Sequence, residues 1–195
     1  ILHGERLGQI GLVILLVFLI LGIFAPWIAP YGPFETVYVD GEAAKLESPS
    51  LAHPMGTTLS ANDVFSQFIW GSRVSLVVGI LAAVISVSIG TTIGIVSAYY
   101  GGYVDDALMR LTDIAYGIPF LPFMIVLVAL LDPSLWNIIF SISIIMWRAT
   151  ARVVRAEVLS FKERPYIESA HASGASNLRI MAFHIFPNVL PVALL

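Results

Sequence analysis

The sequence predicts an all-α protein that crosses a membrane several times. Of its 195 residues, 58% are hydrophobic and only 12% are charged, whereas a soluble domain carries about 25% charged residues. The mean hydropathy is +0.89, and residues 10–25 form one uninterrupted apolar run. A chain of this composition cannot cover itself with polar side chains, so several of its helices are expected to lie in lipid.

Charge and cysteine content exclude several classes of site. The formal net charge is −3, which provides no basic surface for nucleic acid. The absence of cysteine excludes disulfides, thiolate metal sites and cysteine nucleophiles. The histidines show no H-E-x-x-H spacing; they are His3, His53, His171 and His184. We therefore expect no metal, no cofactor and no nucleic-acid partner.

The first predicted domain, residues 1–29, is a transmembrane helix. Residues 7–29 are long enough to cross a bilayer, since a span needs about 20 apolar residues. The alternative is a signal peptide, because only Arg6 precedes the apolar run and small residues follow it. The length of the run favours a membrane anchor.

The second predicted domain, residues 30–73, is an irregular extracytoplasmic segment rich in prolines and acidic residues. Its end, residues 62–73, has apolar residues at helical spacing. This pattern predicts a short amphipathic helix that lies on the membrane surface and leads into the next span. Asp63 is placed to cap that helix.

The third predicted domain, residues 74–195, is a transmembrane core. Its expected spans are at about 74–99, 111–131 and 135–150, with a further span starting at 188. A polar loop at 101–110 is expected to join the first two of these spans. Because the chain stops inside an apolar run, more chain is expected beyond residue 195.

Small and aromatic residues mark the span at 74–99. Gly90 and Gly94 lie one helical turn apart, which permits close packing of helices in lipid and predicts no further role. Tyr99 and Tyr100 stand where an interfacial aromatic belt would lie.

The span at 111–131 contains three candidate residues of a translocation path. Pro119 and Pro122 remove backbone hydrogen bonds, so a kinked helix that lines a cavity is expected. Asp113 is the third candidate, since an ionisable group near a membrane is often functional. Its position close to the end of the span favours capping, or an ion pair with Arg110.

Basic residues predict the orientation, because they concentrate in cytoplasmic loops. Six of the ten Lys and Arg residues lie within 148–187, whereas 30–73 holds two among more acids. We therefore expect the N-terminus and 148–187 to be cytoplasmic and 30–73 to be outside.

Residues 164–187 predict a polar helical hairpin between apolar segments. Pro165 fits the first position of a helix, and Glu168 falls in the first turn, at the positive end of the helix dipole. Gly174 can adopt the left-handed conformation that ends a helix. Ala170 and Gly174 leave a nearly bare face that another protein can approach closely. An ordinary intracellular loop is the alternative.

The second helix of the hairpin has its own signals. Ser176 or Asn177 can cap its start, and Pro187 is expected to end it. One face is expected to group four apolar residues: Leu178, Met181, Ala182 and Ile185.

The run ESAHASG, with a proline thirteen residues after its glycine, resembles the EAA motif, E-A-A-x-x-x-G followed by I-x-L-P. That motif marks permease subunits of binding-protein-dependent ABC importers. Residues 184–187, HIFP, resemble the H-I-L-P variant of the dipeptide and oligopeptide permeases. AHPMGTT, FIWGSRVSLVVG and the stretches 99–122 and 147–170 resemble the same group, so the resemblance covers most of 50–191.

One stretch departs from this group. After Gly56 the group has T-D-x-x-G-R-D-x-x-S-R, whereas this chain has TTLSANDVFSQ. Asp63 is kept, but other positions of the pattern differ: Thr58, Ala61, Asn62 and Gln67. The resemblance therefore does not carry over what this segment does with a binding protein.

The resemblance implies a MetI-like ABC permease fold, incomplete at the C-terminus. It also implies that the hairpin is a coupling helix, which docks in a cytoplasmic ATPase and transmits nucleotide-driven closure to the spans. Glu168 would contact the ATPase, Gly174 would form the turn and Ala170 would allow close approach. The full set carried over for ATPase coupling is Glu168, Ser169, Ala170, Gly174, Ala175 and Pro187.

The implied function is the passive half of a pump in the cell membrane. The sequence has no Walker A loop, so a partner must hydrolyse ATP and the chain is not expected to be an enzyme. The implied partners are cytoplasmic ATPase subunits, a second homologous permease and an extracytoplasmic binding protein. Peptides are the implied substrate, with nickel or oligosaccharides as alternatives. A channel or secondary transporter predicts polar relays within the spans, and an intramembrane aspartyl protease predicts paired acids; the spans show neither.

Overall fold

The computed structural model describes residues 2–194, most of which are helical. Within these described residues, three helices are long and apolar enough to cross a membrane, and a bent pair of helices is a fourth candidate. The predicted all-α, multi-span architecture is therefore confirmed. The helices are α1 (Leu2–Ile23), α2 (Ala25–Ile28), α3 (Val64–Tyr100), α4 (Gly102–Gly117), α5 (Phe120–Leu130), α6 (Leu135–Phe161), α7 (Pro165–Ala172), α8 (Asn177–Ile180) and α9 (Phe186–Ala193), with a π-helix at Met181–Ile185.

Backbone contacts divide the chain into two units, residues 1–79 and 80–195. The first unit contains a two-stranded hairpin that the sequence analysis treated as irregular chain. Strands β1 (Tyr38–Val39) and β2 (Glu42–Ala43) pair antiparallel. They are joined by Asp40 and Gly41, whose φ angles of 51° and 85° suit a two-residue turn. Asp-Gly between two strands is a recognised sequence signal for this turn.

The prediction of a separate surface helix at 62–73 is wrong. Val64 begins α3, which continues without interruption for 37 residues. No proline lies within that range, so no backbone donor is missing. A helix of this length extends for about 55 Å, whereas the hydrocarbon core is about 30 Å thick. Part of α3 must therefore lie beyond the hydrocarbon without a break in the helix.

A buried polar cluster holds the start of α3. The Oδ2 atom of Asp63 accepts hydrogen bonds from the backbone N–H and the hydroxyl of Ser66, both at 2.7 Å. Its Oδ1 atom lies 3.1 Å from Nδ1 of His53. Burial acts to raise the pKa of Asp63, but the bonds from Ser66 and the interaction with His53 outweigh burial and lower that pKa. The predicted capping role of Asp63 is confirmed.

In the second unit, α3 and α6 pack closely at the two glycines. A Cβ atom added to Gly90 would lie 2.5 Å from the carbonyl oxygen of Trp147. One added to Gly94 would lie 2.7 Å from the carbonyl oxygen of Ala151. Only a residue without a side chain fits at either position, so the predicted packing role is confirmed.

The predicted loop at 101–110 and the predicted span at 111–131 are both replaced by two helices. α4 begins at Gly102, and α5 follows it at an angle of 82°. The break lies at Pro119, the N-cap residue of α5, as its missing N–H predicts. Pro122 falls in the first turn of α5, where the N–H has no partner within that helix, so it adds no second break.

Candidate functional site

The predicted hairpin is mounted on an apolar core at the end of α6. Ile167 of α7, Ile180 of α8 and Ile185 of the π-helix are all buried in this core. The residues of α3 and α6 in the same core are Ile95, Ala98, Val154, Val158 and Phe161. Burial of apolar side chains on both sides therefore fixes the hairpin to two span candidates.

The start of α7 follows the sequence prediction. Arg164 is its N-cap residue, Pro165 takes the first position and Glu168 lies in the first turn. The side chain of Glu168 is exposed. Ser169 is also exposed, and its hydroxyl donates to the carbonyl oxygen of Pro165 at 2.9 Å. Glu168 and Ser169 thus lie on the outer surface of the hairpin.

The glycine turn after α7 has the geometry of a Schellman motif. Gly174 has φ +78°, and its N–H donates to the carbonyl oxygen of His171 at 2.9 Å. The N–H of Ala175 donates to the carbonyl oxygen of Ala170 at 3.1 Å. These two bonds satisfy carbonyl groups that the end of a helix leaves without partners. The predicted left-handed glycine is confirmed.

Ala170 and Gly174, predicted to form one bare face, have different surroundings in the structure. Gly174 is exposed, and a Cβ atom added there would meet no other atom within 4 Å. Ala170 is half-buried and packs against the hairpin core, as Ala175 does. The small size of Ala170 is therefore accounted for by packing within the chain, and only Gly174 is fully open to a partner.

Tyr99 joins the two helices of the hairpin to α3, a role that sequence analysis missed. Its hydroxyl donates to Oδ1 of Asn177 at 3.0 Å and lies 3.2 Å from Nε2 of His171. Its ring also stacks on the His171 ring at an interplanar angle of 19°. The sequence suggested only an interfacial aromatic, because partners more than 70 residues away leave no local signal.

The second helix of the hairpin differs from its prediction. Ser176 caps α8, and its hydroxyl oxygen accepts the N–H of Arg179 at 3.3 Å. Ser176 was one of the two residues predicted as possible caps. Pro187 does not end the helix: the chain passes from α8 through the π-helix directly into α9, where Pro187 lies in the first turn. The N–H of Phe186 donates to the carbonyl oxygen of Met181 across this wider turn. A π-turn relieves the clash that a proline ring makes with the carbonyl group four residues earlier.

The predicted apolar face of this helix is also partly wrong. Met181 and Ile185 are buried, but Leu178 is 73% exposed and Ala182 is exposed as well. The π-turn shifts the helical period, so residues spaced for an α-helix do not remain on one face.

The exposed side of the hairpin carries both polar and apolar groups. It presents the carboxylate of Glu168, the open turn at Gly174 and two large apolar side chains, Leu178 and Phe183, each 73% exposed. Among residues 2–194, no group of three or more His, Asp and Glu side chains is placed to hold a metal ion.

The three candidate residues of the translocation path lie near the break between α4 and α5. Asp113, Pro119 and Pro122 are all exposed on this chain. The predicted ion pair of Asp113 with Arg110 is wrong, because Asp113 pairs with Arg152 of α6 instead. Asp113 and Arg110 are close in sequence on one helix, whereas Arg152 lies on α6 and comes near Asp113 only through tertiary packing.

A second ion pair ties α4 to α6. Arg155 donates from Nε and Nη2 to the two carboxylate oxygens of Asp105, at 2.6 and 2.5 Å. Ser97 of α3 donates to the same carboxylate. These contacts hold the start of α4 in place and explain why residues predicted as a polar loop are helical.

Residues 90–195 match a family described as "Binding-protein-dependent transport system inner membrane component". This match covers more than half of the chain, including the long helix α6 and the hairpin. The chain belongs to this family. Residues 4–49 match a second family description, "N-terminal TM domain of oligopeptide transport permease C". The resemblance seen in the EAA-like motif is thereby confirmed.

This permease-family chain resembles several curated relatives. It is 35% identical over 189 residues to the dipeptide transport system permease protein DppC of Alkalihalophilus pseudofirmus, covering 97% of this chain and 61% of the relative. It is 36% identical over 192 residues to DppC of Haemophilus influenzae, covering 95% and 64%. It is 38% identical over 186 residues to the oligopeptide transport system permease protein OppC of Haemophilus influenzae, covering 94% and 58%. The chain thus spans about three fifths of the length of these relatives.

Proposed function

We propose that this chain is a transmembrane permease subunit of an ATP-driven importer of peptides. The observation that carries the proposal is the mounting of the hairpin: its outer surface is exposed, while its inner side shares a buried core with α3 and α6. A force applied to the outer surface would therefore be passed to two helices that can cross a membrane. Membership of the binding-protein-dependent transport family supports the same assignment.

The hairpin is proposed to dock on a cytoplasmic ATPase subunit. Glu168 and Ser169 offer polar contacts on the outer surface of α7, and Gly174 lets the partner approach the turn. Ala170, Ala175 and Pro187 give the hairpin its shape. The chain has no Walker A loop, so the partner hydrolyses ATP.

Peptides are the proposed substrate, since relatives of this chain are named dipeptide and oligopeptide permeases. They would be delivered by an extracytoplasmic binding protein and would cross between this chain and a second, homologous permease. Asp113, Pro119 and Pro122 are proposed to lie along that path. The proposed orientation places the N-terminus and the hairpin in the cytoplasm and residues 30–73 outside. Nickel or oligosaccharides are the alternative substrates of the same machinery.

Co-purification of the chain with its ATPase tests this proposal. Gly174→Trp is expected to abolish the association while membrane insertion persists, because the indole would fill the open turn and strain a left-handed backbone. Gly41→Trp is the matched control, since Gly41 also has positive φ and open surroundings but lies in the segment proposed to be outside. Equal loss of ATPase in both variants would reject docking at the hairpin.

Reconstitution in proteoliposomes tests the transport function. Dipeptides or oligopeptides, each with the binding protein, are expected to stimulate ATP hydrolysis and to accumulate inside only when ATP is present. Stimulation by nickel or an oligosaccharide but not by peptides would select the alternative substrate. Transport that continues without any ATPase would show that the chain is a channel or a secondary transporter.

A further inference from the structure

The break between α4 and α5 leaves carbonyl groups at the end of α4 without helical donors. In an α-helix the carbonyl oxygen of residue i accepts the N–H of residue i+4. Pro119 has no N–H, so the carbonyl group of Ala115 loses that partner. Ile118 is the extended C-cap residue of α4, so its carbonyl group also lies outside the helical pattern. An unpaired carbonyl group is costly in a membrane-spanning segment, where water is scarce.

A single side chain of α6 supplies both missing donors. The Nη1 atom of Arg148 donates to the carbonyl oxygen of Ala115. The same atom lies within hydrogen-bond distance, 3.5 Å, of the carbonyl oxygen of Ile118. Hydrogen bonds from a charged donor are about twice as strong as those between neutral groups. Arg148 therefore caps the end of α4 from a neighbouring helix.

Two further contacts attach the same short stretch to α6. The ring of Tyr116 lies beneath the guanidinium groups of Arg148 and Arg152, at 4.8 and 4.1 Å from the ring centroid. Arg152 also pairs with Asp113. Since Arg148 and Arg152 are one turn apart on α6, the residues before the break are held along one face of that helix.

The same helix also carries the hairpin. Val154, Val158 and Phe161 of α6 belong to the core on which α7 and α8 are mounted. Phe161 lies thirteen positions after Arg148 along one uninterrupted helix. A displacement of the hairpin is thus passed along α6 to the residues that face the break.

We propose that Arg148 is a positioning residue for transport: it fixes the direction of α5 relative to α6 by pairing the carbonyl groups of Ala115 and Ile118 at the break. When the hairpin moves, α6 then carries the break between α4 and α5 with it, and the bend between these two helices keeps its angle. We call this fixed bend the joint. This inference rests on the proposed function where it assigns the break to the translocation path. The geometry of the joint itself does not depend on that assignment.

Distance measurement across the break tests the joint in the complete complex. The chain has no cysteine, so spin labels can be placed at Ala107→Cys on α4 and Ala129→Cys on α5, both exposed. A straight helix would separate these positions by about 33 Å, and the bend shortens that distance. Arg148→Met is expected to broaden the distance distribution, whereas Arg148→Lys, which keeps a charged donor, should retain most of its sharpness.

The control and the functional readout separate a positioning role from general damage. Arg110→Met, at an exposed arginine of α4, is expected to leave the distribution unchanged. In Arg148→Met, peptide transport should fall by about tenfold, the effect of losing one charged hydrogen bond, while ATP hydrolysis continues. An unchanged distance distribution, or normal transport despite a broadened one, would overturn the inference.

A second-site test identifies the carbonyl groups as the target of Arg148. Replacing Pro119 by alanine restores the backbone N–H that Ala115 lacks as a helical donor. The loss of thermal stability caused by Arg148→Met is expected to be smaller in that background than in the wild type. Equal losses in the two backgrounds would show that Arg148 acts through other contacts and would overturn the inference. If the wild-type complex fails to transport any peptide, the proposed function fails, while the stability cycle still decides the joint.

Discussion

The hairpin at residues 164–187 and the proline-rich segment, residues 30–63, are held in place by different forces. The hairpin rests on buried apolar side chains, with Ile167 at its centre. The proline-rich segment rests on buried polar groups: His53, Asp63 and Ser66 are at most 2% exposed, and Asp63 is bonded to the other two. Further side chains of α3 reach back to main-chain oxygens of the segment, as Trp70 does to Tyr31 at 3.1 Å.

This difference predicts how each region responds to change. Burial of apolar surface is not directional, so the hairpin core tolerates small shifts as long as its side chains stay packed. A buried carboxylate depends on the direction and presence of each donor, and loss of one partner leaves a charge or a polar group unpaired. The proline-rich segment should therefore be the more sensitive of the two regions to single-atom changes and to pH.

Asp63→Ala is expected to have the largest effect. Removal of the carboxylate leaves His53 and the N–H of Ser66 without their partner, at a cost of about 1–3 kcal/mol for each buried group. Hydrogen exchange of the backbone amides around residues 53–66 should accelerate strongly, while exchange in α7 stays as in the wild type. Asp63→Asn keeps an acceptor for Ser66, so its exchange rate around residues 53–66 should lie between those of the wild type and the alanine variant. Unchanged exchange at Ser66 in the alanine variant would contradict the role of the cluster.

The same carboxylate predicts a pH dependence. Its pKa is lowered from the ordinary value of 3.8, so the ionised form is the one stabilised by folding. The contribution is complete above pH 3.8 and is lost as the pH falls through the lowered pKa. In the wild type, protection of the Ser66 amide, corrected for intrinsic exchange, should fall as the pH is lowered through this range. In Asp63→Asn this fall should be absent. An equal acid loss in both proteins would assign it to another group.

Ile167→Ala is expected to have the next largest effect, confined to the hairpin. Truncation of a fully buried isoleucine costs about 2–5 kcal/mol, which should open α7 and release the ATPase. The control is Glu163→Ala, at an exposed residue just before the hairpin, with an expected change within about 0.5 kcal/mol. Protease cleavage within 165–177 is the measurement. Equal cleavage of the two variants would show that Ile167 does not hold the hairpin.

Tyr99→Phe is expected to have the smallest effect. The substitution keeps the ring on His171 but removes the hydroxyl that reaches Asn177, a loss of about 1 kcal/mol. Hydrogen exchange in α7 and α8 should increase modestly, and Tyr100→Phe, at the exposed neighbour, should leave it unchanged. The same increase in both variants would place the effect outside the contact with Asn177.

The hairpin could be predicted largely from the sequence because its signals are local. Pro165, Glu168, Gly174 and Ser176 each act within a few residues of their own position, and the structure places each as expected. The π-turn before Pro187 was missed, since the spacing of residues gives no sign of a change in helical period.

The other region was predicted less well because its contacts are not local. His53 and Asp63 are ten residues apart, and Trp70 bonds to a carbonyl group 39 residues away. Propensity and periodicity carry no information about such pairs. The same reason explains why the sequence pointed to the neighbouring Arg110 as the partner of Asp113, whereas the partner in the structure is Arg152.

Cross-linking of the hairpin to the ATPase is the most direct test of the central claim, that the outer surface of the hairpin receives the force of ATP hydrolysis. Because the chain has no cysteine, a single cysteine at exposed Ser169 can carry the cross-linker. A cysteine at exposed Leu51, in the segment proposed to lie outside, serves as the control. Ser169→Cys is expected to cross-link to an ATPase subunit with a yield that changes when ATP is added, and Leu51→Cys to give no such product. Equal yields from the two positions, or no product from Ser169→Cys in an assembled and active complex, would contradict the account.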